Sequence, residues 1–83
     1  MITQGRVCVK IAGRDAGKHC VVLDVVDDHT VLIDGATRRR KCNIAHLEPT
    51  VHVMDIKKNT IHEDIREAFG SLGITIPARK AKK

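Results

Sequence analysis

Residues 5–35 constrain the fold most, because short β-patterned segments alternate there with polar turns that carry glycine. The first segment has an apolar residue at every second position, which is the period of a strand with one buried face. A valine-rich segment follows at 19–26, two aspartates break it at 27–28, and strand character resumes at 30–33. Several short strands at this spacing predict a small barrel or sandwich. The predicted core residues of the first strand are Val7, Val9 and Ile11.

A basic loop joins the first two predicted strands. A tight loop needs at least one residue with a positive φ angle, and Gly13 and Gly17 adopt such angles without a steric clash. The same glycines would let the backbone come close to a phosphate, and Arg14 and Lys18 lie beside them. Because a hairpin meander alternates its turns between two ends, the acidic turn at 27–28 is predicted at the opposite end, facing away from a phosphate-bearing partner.

Basic charge is concentrated in two segments. Fifteen Lys and Arg against ten Asp and Glu give a net charge of +5, which favours a polyanionic partner. Between residues 35 and 47 there is no acid but a run of four bases, Arg38, Arg39, Arg40 and Lys41. After residue 67 there is again no acid, and the chain closes with Arg79, Lys80, Lys82 and Lys83. Such bases on an edge strand can also serve only to deter aggregation, and the sequence pattern leaves that alternative open.

The available side chains argue against several classes of function. Phe69 is the one aromatic residue, so we expect contacts to phosphates, 2′-hydroxyls and RNA shape, not base stacking. The basic loop lacks the Ser or Thr that would hold magnesium after the lysine of a phosphate loop. The one serine, Ser71, has no His–acid pair near it. We therefore expect no enzyme activity, catalytic residue, cofactor or small-molecule substrate.

The cysteines predict a reducing compartment. Cys8, Cys20 and Cys42 are odd in number and form no C-x-x-C pair, which is typical of reduced, buried thiols in a cytosolic protein. A zinc site of three cysteines and a histidine is the weaker alternative, because the spacing does not support it. No apolar run has the length of a signal peptide core or a membrane span, so no membrane contact is expected.

The C-terminal third changes to a helical period. The pattern predicts a helix at about 60–72 that begins with a capping box at Thr60 and Glu63. Its apolar stripe includes Ile65 and Phe69, which we expect to pack on the barrel as core residues. A helix that binds a partner through this stripe is the alternative.

The length allows only one small domain. A chain of 83 residues has room for a single modest core and for no deep cleft. We expect residues 1–76 to form that domain, including the helix. Residues 77–83 are expected to be a basic tail that follows RNA.

Residues 5–35 resemble a KOW motif, an RNA- and protein-contacting element of ribosomal proteins and transcription elongation factors. The resemblance consists of a strand, the loop Gly-Arg-Asp-Ala-Gly-Lys, a valine-rich strand, a short turn and Val-Leu-Ile-Asp-Gly. With Arg-Arg-Arg-Lys-Cys-Asn and His-Leu-Glu-Pro-Thr at their spacing, about residues 5–73 resemble the L-fourteen-e family of archaeal and eukaryotic large-ribosomal-subunit proteins. Eukaryotic members usually carry a long basic helical extension, so a chain that stops at Lys83 is expected to be archaeal.

This resemblance implies a mainly β fold, an SH3-like β-barrel with a KOW motif and one C-terminal α-helix packed on it. It also implies a structural, cytoplasmic component of the large ribosomal subunit. The implied partners are ribosomal RNA and neighbouring large-subunit proteins. A KOW module of a transcription-elongation complex is the alternative function. The residues expected to contact RNA are Lys10, Arg14, Lys18, Arg38, Arg39, Arg40, Lys41, Arg79, Lys80, Lys82 and Lys83.

Overall fold

The computed structural model describes residues 2–37, 39–57 and 59–74. In chain order its elements are β1 (Arg6–Lys10), β2 (His19–Val25), β3 (Thr30–Gly35), β4 (Arg40–Asn43), a 3₁₀ turn (Ile44–His46), β5 (Leu47–Val53) and α1 (His62–Ser71). The strands form an antiparallel sheet in the order β4-β3-β2-β1-β5. The predicted mainly β, SH3-like barrel with one C-terminal helix is confirmed.

Part of the predicted basic surface falls on residues that the structure does not describe. Arg38 and the expected tail at 77–83, with Arg79, Lys80, Lys82 and Lys83, lie outside the described ranges. Within those ranges, no helix combines the length and the hydropathy needed to cross a membrane. The same residues contain no group of three His, Cys, Asp or Glu side chains that would hold a metal ion.

Both faces of the central strands β1 and β2 are buried. On one face, all five strands contribute to an inner cluster of Cys8, Cys20, Val22, Val31, Ile33, Cys42 and Leu47. On the other face, α1 contributes to a helix-covered cluster of Val7, Val21, Leu23, Met54, Ile65 and Phe69. Successive strand residues such as Val7 and Cys8 therefore lie in different clusters. The prediction that the first strand buries only one face is wrong, because α1 covers the face that a bare barrel would expose.

The first strand also departs from its predicted core pattern at its end. Val7 is fully buried, as predicted, whereas Val9 is only partly buried. The prediction that Ile11 is a core residue is wrong, since it lies beyond β1 with an exposed fraction of 54%. The Ile11 N–H donates to the carbonyl of His46, on the β5 side of β1. Lys10 is the last buried residue of β1.

Helix α1 packs on β3 through Ile65 and Phe69, both fully buried as predicted. A Cβ atom at Gly35 would lie 3.1 Å from Phe69 Cε2, so the glycine lets the ring lie close to the sheet. The helix ends in a Schellman motif, in which the Ile74 N–H donates to the Phe69 carbonyl and Gly73 has a φ angle of 81°. Packing and C-terminal geometry thus agree on where the helix stops.

The start of α1 differs from the prediction. The helix begins at His62, its N-cap residue is Ile61, and no side chain caps it. Thr60 belongs to the preceding turn, where its hydroxyl accepts a hydrogen bond of 2.9 Å from the Lys57 N–H. The predicted capping box of Thr60 and Glu63 is wrong, because this turn already uses the threonine hydroxyl.

The three cysteines are free and lie in the inner cluster. Cys8 and Cys20 face each other across β1 and β2. Burial raises the pKa of the Cys8 thiol from its ordinary value of 9.0 to about 11, and it also raises the pKa of the Cys20 and Cys42 thiols. At neutral pH these thiols stay protonated and act as small apolar side chains.

Candidate nucleic-acid interface

The loop between β1 and β2 is closed by its own backbone. The Gly17 N–H donates to the Lys10 carbonyl at 2.6 Å, and the Lys10 N–H donates to the Lys18 carbonyl at 2.9 Å. Gly13 and Gly17 have φ angles of 86° and 88°, a region that strains residues with a Cβ atom. These glycines are therefore turn residues, the role that the sequence predicts. A Cβ atom at Gly17 would meet nothing within 4 Å, so the loop backbone is open to approach there.

A second segment meets this loop because the chain returns to it after β4. Asn43 ends β4, and its side-chain oxygen caps the 3₁₀ turn by accepting a hydrogen bond of 2.8 Å from the Ala45 N–H. The turn brings the chain to His46, whose carbonyl accepts a hydrogen bond of 2.8 Å from Ile11 at the start of the loop. This bond holds the end of the 3₁₀ turn beside the start of the loop.

Between the loop and β4 lies a groove with a volume of about 330 Å³, which we call the basic groove. It is lined by Lys10, Gly13, Arg14, Arg40, Lys41, Cys42, Asn43 and His46. Four of these residues are cationic and none of them is acidic. Asp15, the acid of the loop, lies with its Oδ1 3.7 Å from Lys18 Nζ and does not line the groove. No lining carboxylate therefore cancels the positive potential of the groove.

The four cations of the groove have different roles. Lys10 is largely buried, with an exposed fraction of 8%, and its Nζ donates a hydrogen bond of 2.9 Å to the Ala12 carbonyl. Lys10 thus helps to fix the shape of the loop. Arg14, Arg40 and Lys41 are exposed, so their charged groups are accessible to an anion.

Arg39 does not line the basic groove and instead joins the sheet to α1. Its Nε lies 3.0 Å from Asp34 Oδ2, and its Nη2 donates to the Thr60 carbonyl. His62 Nδ1 donates to Asp34 Oδ1 at 3.2 Å. Asp34 is fully buried, and we call these four residues the Asp34 network. It gives Arg39 a structural role that the sequence did not indicate.

The structure brings together part of the predicted RNA-contacting set. The residues of that set that line the basic groove are Lys10, Arg14, Arg40 and Lys41. Lys18 lies in the loop but pairs with Asp15, and Arg38 is outside the described residues. Asn43 and His46 line the groove without having been predicted to do so. The sequence signal for them is the 3₁₀ turn that follows the basic strand, since that turn leads the chain back to the loop.

The acidic turn of Asp27 and Asp28 lies at the other end of β2. The connections that precede and follow an antiparallel strand leave it at opposite ends, so the predicted separation of the two turns is confirmed. Because β2 has seven residues, the separation is about 20 Å. Asp27 Oδ1 accepts a hydrogen bond of 2.8 Å from the His29 N–H, and this bond lowers the pKa of the Asp27 carboxyl.

Comparison with known proteins identifies the family. No protein-family model matches the chain. The chain is 42% identical over 73 residues to a large ribosomal subunit protein eL14 of Methanococcus maripaludis, an alignment that covers 88% of this chain and 95% of the relative. It is 43% identical over 79 residues to a protein of the same name from Saccharolobus islandicus, which covers 89% of this chain and 82% of the relative. At this identity and coverage, the chain belongs to the eL14 family of large ribosomal subunit proteins.

Proposed function

We propose that this chain is a structural component of the large ribosomal subunit and that its basic groove binds the backbone of ribosomal RNA. The observation that carries the proposal is the convergence of Arg14, from the β1–β2 loop, with Arg40 and Lys41, from β4. The family supplies the setting, because both relatives are named as large-subunit proteins. These names support the ribosomal role over the elongation-complex alternative. The family also supports the expectation that the chain is not an enzyme.

The groove suits phosphates better than bases. The guanidinium groups of Arg14 and Arg40 donate forked hydrogen bonds that match pairs of phosphate oxygens, and Lys41 adds a compact charge. Phe69 is the one Phe, Tyr or Trp residue of the sequence, and it is fully buried on the face of α1 that packs on the sheet. The chain therefore exposes no Phe, Tyr or Trp ring on which a base would stack. Binding through backbone charge and RNA shape is the mode that remains.

The bound orientation follows from the distribution of charge. RNA phosphates are attracted to Arg14 in the β1–β2 loop and to Arg40 and Lys41 on β4, and they are repelled by the carboxylates of the acidic turn, which lies at the other end of β2 from the loop. The domain would therefore bind RNA with the β1–β2 loop and β4, and with the acidic turn directed outward. This polarity orients the protein without any base-specific contact.

The test is the salt dependence of binding to large-subunit ribosomal RNA. Replacing Arg14 and Arg40 by alanine should flatten the slope of log K against log salt concentration by about 0.7–0.9 for each lost phosphate contact. The matched control replaces Lys57 and Arg66, two exposed cations outside the groove, and should keep the slope of the unaltered chain. An unchanged slope for the groove variant would overturn the proposal.

A further inference from the structure

We propose that the acidic end of the barrel is a docking site for a protein segment that carries an apolar side chain next to Lys or Arg. The site is a groove with a volume of about 460 Å³, which we call the acidic groove. It is lined by Ile2, Val25, Asp27, Asp28, Val31 and Ile44. Ile2, Val25 and Ile44 thus offer accessible aliphatic surface beside two carboxylates, whereas Val31 is fully buried.

The aliphatic part of the groove leaves apolar surface in contact with water. Val25 has an exposed fraction of 47%, although it belongs to β2, and its neighbour Val26 is also exposed. Ile2 and Ile44 are partly buried and pack against the inner cluster, so the groove continues the apolar interior outward. Covering such surface with an aliphatic or aromatic side chain is favourable by roughly 25 cal/mol per Å².

The two carboxylates of the acidic groove favour a positively charged occupant. Asp27 is ionised at neutral pH, as an aspartate ordinarily is, and the hydrogen bond from the His29 N–H lowers the pKa of its carboxyl further. Asp28 is exposed, and among the described residues no cation pairs with it. No Lys, Arg or His lines the groove. A cationic segment is therefore complementary, whereas an RNA phosphate is repelled.

The two grooves have different linings. They share no lining residue, although they adjoin where Ile44 follows Asn43 and where Val31 pairs with Cys42. The proposal takes from the family only that the chain sits in a large subunit. It does not require that the basic groove binds RNA, so the salt-slope test and the test below fail separately.

The test uses the full chain in assembled large subunits, with the photoreactive residue p-benzoylphenylalanine in place of Val25. Irradiation should crosslink this position to another protein, and the crosslinked peptide should carry Lys or Arg within two positions of an aliphatic or aromatic residue. Crosslinking to ribosomal RNA, to a second copy of this chain or to the chain's own residues would overturn the proposal, and so would the absence of any crosslink.

Charge reversal in the acidic groove provides the second measurement. Asp28→Lys should lower the yield of that crosslink by about fivefold, because it replaces an attraction with a repulsion. Asp28 is chosen over Asp27 because its carboxylate makes no hydrogen bond that holds the turn among the described residues. The matched control, Asp64→Lys, makes the same change of charge on the exposed first turn of α1 and should leave the yield unchanged. Equal yields for the two variants would contradict the proposal.

Discussion

The two buried faces of the sheet are stabilised by different chemistry. The inner cluster is built from strand residues alone, and it is apolar apart from three protonated thiols. The helix-covered cluster depends on α1, which the chain reaches only after the last strand, and the Asp34 network of buried charge joins that helix to the sheet. The inner cluster is thus covered by the strands themselves. The helix-covered cluster needs both apolar burial by α1 and the hydrogen bonds of the Asp34 network.

The Asp34 network orients α1 on the sheet in a way that apolar burial alone does not. Hydrophobic packing is non-directional, so Ile65 and Phe69 alone would tolerate several positions of α1 on the sheet. Hydrogen bonds from Arg39 and His62 engage both carboxylate oxygens of Asp34, and each has a defined geometry. We infer that the apolar residues supply most of the stability of this face and that the Asp34 network selects the position of the helix.

Removing the aromatic ring from the helix-covered face should have the largest effect. Phe69→Ala is expected to lower the free energy of unfolding by about 3–5 kcal/mol, because the ring is fully buried in the helix-covered cluster. The control is Ile61→Ala, since Ile61 precedes the same helix with an exposed fraction of 55% and should cost less than about 0.5 kcal/mol. Denaturant unfolding measures both. If Phe69→Ala unfolded like the unaltered chain, Phe69 would not be what docks the helix.

Substituting two adjacent arginines should distinguish the Asp34 network from the proposed RNA-binding surface. Arg39→Ala leaves the buried carboxylate of Asp34 without its guanidinium, and we expect a loss of about 2–3 kcal/mol because Arg39 is itself 35% exposed. Arg40→Ala should cost less than about 0.5 kcal/mol, since Arg40 is exposed. In salt titrations with ribosomal RNA the order should reverse, with a flatter slope for Arg40→Ala alone. Equal stabilities for the two variants would contradict the structural role of Arg39.

Features that depend on neighbouring residues are predictable from the sequence. Gly13 and Gly17 mark the turn because only their local backbone angles matter, and the apolar period of α1 identifies Ile65 and Phe69 as the buried pair. The 3₁₀ turn at 44–46 directly follows β4, which contains the last two bases of the basic run. In each case the information lies within a few positions of the residue concerned.

Features that depend on distant partners are not predictable in this way. Arg39 and Arg40 are identical neighbours in the sequence, and what distinguishes them is the position of Asp34 and His62 in the folded chain. Ile11 continues the alternating pattern of β1, yet β1 ends at Lys10 and Ile11 is exposed. The basic groove forms only where β4 and the 3₁₀ turn meet the β1–β2 loop, so the sequence indicates the bases of the site but not the groove that they line.

Alkaline pH should lower the free energy of unfolding through the thiols of the inner cluster. This is the smallest of the expected effects on stability. Cys8 has a pKa of about 11 in the folded chain against an ordinary value of 9.0, so the folded state holds this proton more tightly than the unfolded state does. The contribution of the Cys8 thiol to stability is therefore complete below pH 9 and is lost as the pH rises toward 11. At pH 10 the free energy of unfolding should be lower by about 1.4 kcal/mol because of this one thiol.

Two variants at adjacent positions test this assignment by denaturant unfolding between pH 8 and pH 10. Cys8→Ala removes the titrating thiol, so the stability gap between this variant and the unaltered chain should narrow as the pH rises. Val7→Ala lies next to it but in the helix-covered cluster, where no thiol occurs, so its gap should stay constant. Parallel pH curves for the unaltered chain and Cys8→Ala would show that burial of the Cys8 thiol does not couple proton binding to folding.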